Sequence, residues 1–151
     1  MVKVSMNISN AALKSLNSDP LKADHVRFVF RDGLNEMADS ARQNHRFKTR
    51  TGRLEQNTYG KLTKDYPLQG EVAIQKDVRY GFHIHEGTGP RYIKPVNVKA
   101  LRWASGGKFI FSKGHRLING IKPDPFVKNA VIGGLPKFEK QLTNAIYKEM
   151  N

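Results

Sequence analysis

The chain contains no cysteine. Disulfide staples and thiolate metal sites are therefore excluded, and the composition suits a protein that folds in a reducing cytoplasm. Long apolar runs are missing too. The opening "MVKVSMNISNAALKSLNS" lacks the continuous apolar core of a signal peptide, and no stretch approaches the roughly 20 apolar residues of a membrane span. No membrane partner is expected. Acidic residues are absent where the chain is most basic: between Glu86 and Asp124 stand eight Lys/Arg and no Asp/Glu. Carboxylate-rich two-metal chemistry is poorly supplied there. There is no nucleophile elbow, and no glycine-rich loop ends in the Gly-Lys-Ser/Thr of a phosphate-binding loop. No enzyme and no cofactor are expected.

What is present is positive charge, unevenly spread. The 151 residues, enough for one ordinary domain, carry a formal net charge of +13. Residues 1–41 hold five basic and five acidic side chains, whereas residues 42–123 hold seventeen basic against five acidic. A surface of this kind attracts nucleic acid or an acidic protein, although a merely solvated basic face has the same composition. Tyr80, Tyr92, Trp103, Phe109 and Phe111 are interleaved with the cations and would suit base stacking. The expectation for most of them is nevertheless a place in the core, because a domain of this size needs its aromatics inside.

Hydrophobic periodicity divides the chain. Residues 1–18 are polar and read as an N-terminal arm, with a short helix over "NISNAALKSLN" as the alternative. Residues 19–151 form a single domain. Asp19-Pro20 has the signature of a helix start. Val26, Phe30, Leu34, Met37 and Ala41 then recur at three- and four-residue steps, which predicts a helix to about Asn44, weakened or kinked at Gly33. "EVAIQ", Glu71 to Gln75, alternates as a half-buried strand does, and "RLEQNTYGKLT" reads as a second strand. "VKALRWA" and "KFIFSK" flank Ser105-Gly106-Gly107 as a hairpin. A C-terminal helix begins near Pro125, is expected to break at Gly133, Gly134 and Pro136, and resumes with Phe138, Leu142, Ala145 and Ile146 on one face. The predicted class is α+β: a small antiparallel sheet packed by a long N-terminal helix and a C-terminal helix.

The stretch "YGFHIHEGTGPRYIKP", Tyr80 to Pro95, holds the densest set of candidate ligands. His83 and His85 share a face only in an extended segment; on a helix they diverge by roughly 200°. Zinc needs three or four ligands. Glu86 and the distant His115 are available, but no spacing demands them. The structural reading is simpler. Tyr80 and Ile84 share a helical face, Gly87 ends the helix at positive φ, and "RYIKP" leaves extended. Glu86 is then free to accept backbone amides or to pair with an arginine.

Three stretches, in order, resemble the head–tail joining, or tail-completion, proteins of long-tailed bacteriophages, a small neck-protein family. "TRTGRL" is similar to the family's stretch after its first long helix, through Thr51, Gly52 and Leu54. "YGFHIHEGT" is similar through Tyr80, Glu86, Gly87 and Thr88, and "IKPDPFVKNAV" through Pro123, Pro125 and Phe126. Residues 1–18 have no counterpart, and the expected break at Gly133–Pro136 departs from the family's continuous last helix. The resemblance implies a structural virion protein that forms a homo-oligomeric ring, sixfold to match the tail tube, at the head-proximal end of the tail. Implied neighbours are a head connector or stopper protein and a tail terminator or tail tube protein. The implied location is the virion neck, with assembly in the host cytoplasm. Arg42, Arg46, Lys48, Arg50 and Arg53 on one loop, and Arg91, Lys94, Arg102, Lys108, Lys113 and Arg116 beyond Gly87, are the candidate contacts to partner proteins or to DNA in the channel. An acidic protein is the favoured partner, because a lumen that grips phosphate strongly would hinder ejection. Two other readings stand beside this one: a tail terminator ring, and a basic nucleic-acid-binding module.

Overall fold

The computed structural model describes residues 3–7, 20–65, 68–117 and 119–150. Helix α1, Pro20–Gln43, is one-sided, as its periodicity demands. Val26, Phe30, Leu34, Met37, Ala38 and Ala41 are all buried along one stripe. Gly33 marks a close crossing: a Cβ there would run into the ring of Phe138 on the opposing helix. Phe138 also meets Phe30 edge-to-face at 5.2 Å. The cap expected at Asp19 and the alternative helix after Asn7 lie outside the described residues.

The partner helix α4 runs unbroken over Phe126–Met150, with Pro136 inside it, so the expected interruption does not occur. Proline removes one helical hydrogen bond and costs about 3 kcal/mol in a helix interior. The residue whose carbonyl loses its donor is Ile132, which is exposed, so water can satisfy it. Phe126, Val127, Ala130 and Val131 before the proline, and Phe138, Leu142 and Ala145 after it, are buried on one continuous face. At about 1.5–3 kcal/mol for each large buried side chain, that face outweighs the proline.

The two helices cover a three-stranded antiparallel sheet of order β1-β3-β2. Strand β1 is Lys3–Asn7, β2 is Thr58–Asp65 and β3 is Leu68–Ile74. The expected N-terminal arm thus contributes an edge strand, with Val4 opposite Val72. Strand β3 is central, and its residues are buried on both faces from Gly70 to Ile74, not half-buried as the alternation suggested. Its Glu71 is buried, and Lys61 directly across the β2–β3 ladder brings Nζ to 3.3 Å from the carboxylate. That hydrogen bond, with smaller contributions from Tyr59 and from the Glu71 charge, raises the Lys61 pKa above its ordinary value.

The expected strand over "RLEQNTYGKLT" splits in two. Arg53–Gln56 is one turn of helix, α2, and only from Thr58 does β2 begin. Gly52, at φ 67°, sets up the turn, and the Thr58 hydroxyl donates to the Leu54 carbonyl at 2.9 Å to close it. After β3 comes helix α3, Arg79–Glu86, as the Tyr80/Ile84 spacing predicts. The chain then leaves the body as a β arm. Strand β4, Arg91–Ile93, pairs with β7, His115–Leu117, and β5, Leu101–Ser105, pairs with β6, Lys108–Ser112. Gly106 and Gly107, both at positive φ, make the two-residue turn of the β5–β6 hairpin. The architecture is α+β.

Candidate interaction surface

The three stretches Thr49–Leu54, Tyr80–Thr88 and Ile121–Val131 are far apart in sequence and meet at one junction. Gly87 turns the chain out of α3 at φ 76° and ψ 176°, a conformation that only glycine adopts readily. A Cβ at this position would lie 2.7 Å from the Ile121 carbonyl and 2.9 Å from the Pro123 ring. The Thr88 amide donates to the Ile121 carbonyl at 2.9 Å, and the Ile121 amide donates to the Thr88 hydroxyl at 3.1 Å. Residues 89–120 are therefore closed at their base by a reciprocal pair of bonds.

Asp124 ties this base to the loop after α1. Its carboxylate is buried and accepts the amides of Arg46 at 2.5 Å and Phe47 at 3.1 Å, while its own amide donates to the Ile84 carbonyl at 3.0 Å. One residue, through its carboxylate and its own amide, thereby links α1's exit, α3 and the start of α4. Beneath it His45 stacks on Phe47 at 3.7 Å, and Phe47 and His85 both meet Phe126 edge-on. The sequence reading passed over Asp124. It is the lone acid after a long basic stretch and sits between two prolines at a helix start, and that pattern is its sequence signal.

The structure also redistributes the other candidates. His83 is exposed while His85 is buried, as a helix requires of residues two apart. Among the described residues Glu86 takes neither a backbone amide nor an arginine: its carboxylate lies 2.8 Å from His85 Nδ1. His85 Nε2 has no hydrogen-bond partner among the described residues. Among the described residues no three His, Asp or Glu side chains gather as a metal would need. Arg42 belongs to α1, not to a loop, and donates to the Thr58 carbonyl at 2.9 and 2.6 Å and to Asp39 at 2.5 Å. Its guanidinium is held against the body by these bonds, with 38% of the side chain still exposed. Arg46 reaches Asp124 and the Pro123 carbonyl, and Arg53 reaches Asp77 at 3.3 Å. Lys48 and Arg50 are exposed, with no ion-pair partner among the described residues.

Beside the junction lies an open cleft of about 710 Å³. Residues 47–55 wall it, and Leu54, Tyr80, Ile84 and Ile121 supply an apolar floor. Thr51 lies in the wall, and its hydroxyl faces the Arg53 amide at 3.4 Å.

The arm beyond the junction has no interior. Among its described side chains none is buried. Tyr92, Phe109 and Phe111 are 57–65% exposed and Val96 is 90% exposed, so the expected core role for these aromatics is overturned. A two-stranded ribbon has two faces and no second layer, so its alternate apolar residues have nothing to pack on. Register puts Arg102 opposite Phe111, on the same face as Phe109, and the guanidinium sits 4.2 Å from the Phe109 ring centre. Lys94 lies over Tyr92 in the same manner. Arg91, Lys108 and Lys113 are exposed, and Arg116 holds the register position opposite Tyr92. No helix is long and apolar enough to cross a membrane among the described residues. No protein-family model, no curated protein and no solved structure matches the chain.

Proposed function

We propose that the protein is a structural component of the neck of a long-tailed bacteriophage. In this reading it forms a ring at the head-proximal end of the tail and joins the tail to the DNA-filled head. The reading rests on the resemblance carried by Thr49–Leu54, Tyr80–Thr88 and Ile121–Val131. The observation that supports it best is that these separated stretches meet: Thr88 and Ile121 bond each other, Asp124 bonds Ile84, and Leu54 of the first stretch lies against Gly81 and shares the cleft with Tyr80 and Ile121. Residues scattered along a chain but adjacent in space behave as one structural unit, which is how a shared neck fold would hold them together. Each subunit of such a ring uses two different patches, one per neighbour, because cyclic contacts above twofold are heterologous. The exposed arm and the cleft are two such patches, and its chemistry is binding without catalysis.

Electron microscopy of a phage lysate lacking only this gene product tests the reading. Filled heads beside separate tails of finished length are the expected result. Tails of uncontrolled length would instead make the protein a tail terminator, and normally joined particles would end the neck reading.

A second reading is favoured by one specific observation. Tyr92, Phe109 and Phe111 stand exposed among arm cations with no carboxylate nearby in sequence, an arrangement suited to stacking single-stranded nucleic acid. A dissociation constant of about 1–100 µM for DNA at physiological salt supports a nucleic-acid-binding module, and one in the millimolar range removes it.

A further inference from the structure

The arm draws attention by its charge, but the cleft beside the junction is the more selective feature. We propose that the cleft seats an acidic segment of a partner protein, which places one bulky apolar side chain on the floor while its flanking carboxylates meet Lys48 and Arg50. The volume, about 710 Å³, lies in the range of sites that enclose a ligand of several non-hydrogen atoms. The floor asks for an apolar occupant. Tyr80 and Ile121 are 42% and 41% exposed, Ile84 is half-buried, and Leu54 closes the bottom. Large apolar side chains lining a recess regain about 25 cal/mol for each Å² of apolar surface that a partner covers.

The rim sets the sign of the partner. Of its cations, Arg53 is matched by Asp77, whereas Lys48 and Arg50 have no carboxylate among the described residues. The one acid in the wall, Glu55, is occupied with His45 at 3.4 Å and with the Thr49 hydroxyl. A carboxylate brought to the rim therefore meets cations with nothing else to pair them. A small inorganic anion would leave the apolar floor wet. A nucleic acid would find Phe47 and Tyr80 set in a recess among aliphatic Leu54, Ile84 and Ile121, where bases prefer open, flat aromatic platforms such as the arm offers. A second copy of the arm would bring more positive charge to a positive rim. An extended acidic segment with an apolar anchor satisfies both floor and rim, and anchor-in-pocket recognition of this kind concentrates binding energy at the pocket centre. The inference stands on the cleft and not on the neck reading, since purified protein suffices to test it.

The test is fluorescence anisotropy with a short labelled peptide carrying a central tryptophan flanked by aspartates. Comparators are the same peptide with glycine at the centre, the same peptide with lysines as flanks, and a single-stranded oligonucleotide of equal charge. Micromolar binding of the first peptide alone is expected. The Lys48→Glu/Arg50→Glu double variant and Ile121→Ser should each weaken it about tenfold. Arg102→Glu on the arm should leave it unchanged. All four positions are exposed, and an unaltered thermal unfolding curve checks that each variant folds. The proposal is overturned if the tryptophan peptide binds no tighter than millimolar. It is equally overturned if the glycine or lysine peptide binds as well, or if the rim and floor variants have no effect. Displacement of the peptide by the oligonucleotide, together with a loss in Arg102→Glu, would assign the binding to nucleic acid on the arm.

Discussion

The body and the arm of this protein are built on opposite terms. In the body every long stripe of apolar residues finds a partner within the chain: α1 packs on α4 through Phe30, Gly33 and Phe138, and both cover the β1-β3-β2 sheet. In the arm, residues 89–120, the strands pair only with each other among the described residues, and Phe109 and Phe111 stay exposed. Apolar side chains that are covered in the body are left uncovered in the arm. What differs is the presence of a second layer. The arm's large apolar and aromatic side chains stay exposed on a ribbon without acids, whereas Phe30, Phe126 and Phe138 of the body are buried.

That contrast can be broken or sharpened by substitution. The largest effect is expected at the body's centre. Phe30→Ala should lower unfolding stability by about 3–5 kcal/mol in urea denaturation, since it removes a fully buried ring and its edge contact with Phe138. Gly87→Ala comes next. Forcing a Cβ onto a φ of 76° beside Ile121 and Pro123 should cost about 1–3 kcal/mol. Asp124→Ala should cost a similar amount, about 1–3 kcal/mol, by leaving the Arg46 and Phe47 amides without their acceptor. Hydrogen exchange at those two amides should accelerate beyond the global change. On the arm, the Phe109→Ser/Phe111→Ser double variant should shift stability by less than about 0.5 kcal/mol per site, as exposed positions do. A shift comparable with Phe30→Ala would show that the arm has a hidden core.

The smallest expected effect is one of pH. Lys61 is held above its ordinary pKa by Glu71, so its contribution is fully present below the unfolded-state value near 10.5 and is lost as pH rises through the higher folded value. Lys61→Met should flatten the alkaline end of the stability profile, because the group that titrates there is gone. Unfolding midpoints measured across that range would show it.

Much of the body was legible in the sequence. The α1 stripe Val26–Ala41 and the α3 turn at Gly87 follow from local periodicity and glycine placement, and the β5–β6 hairpin follows from Gly106-Gly107. What escaped depended on tertiary context. Pro136 and Gly133-Gly134 read as a break because local propensity is against them, but the buried face shared by Phe126 and Phe138 overrides it. Strand β1, Lys-Val-Ser-Met-Asn, alternates over only five residues, too short to stand out in the polar opening, and its place is set by the open edge of β3. The arm aromatics read as core because periodicity tells which residues share a face but not whether anything covers it. At the junction, the motif residues were visible one by one. That Asp124 ties the loop after α1 to α3, and that Arg42 bonds the Thr58 carbonyl, required the geometry.

The most direct test of the division between body and arm replaces residues 89–120 with a short glycine linker. Thr88 and Ile121 already touch at 2.9 Å, so the cut ends need only a tight turn. The shortened protein should unfold at close to the original midpoint and, under the proposed neck role, fail to restore joined particles to a phage lysate lacking the full-length protein. A collapse in stability would show that the body depends on the arm. Full restoration of joining would show that the exposed ribbon has no partner in assembly.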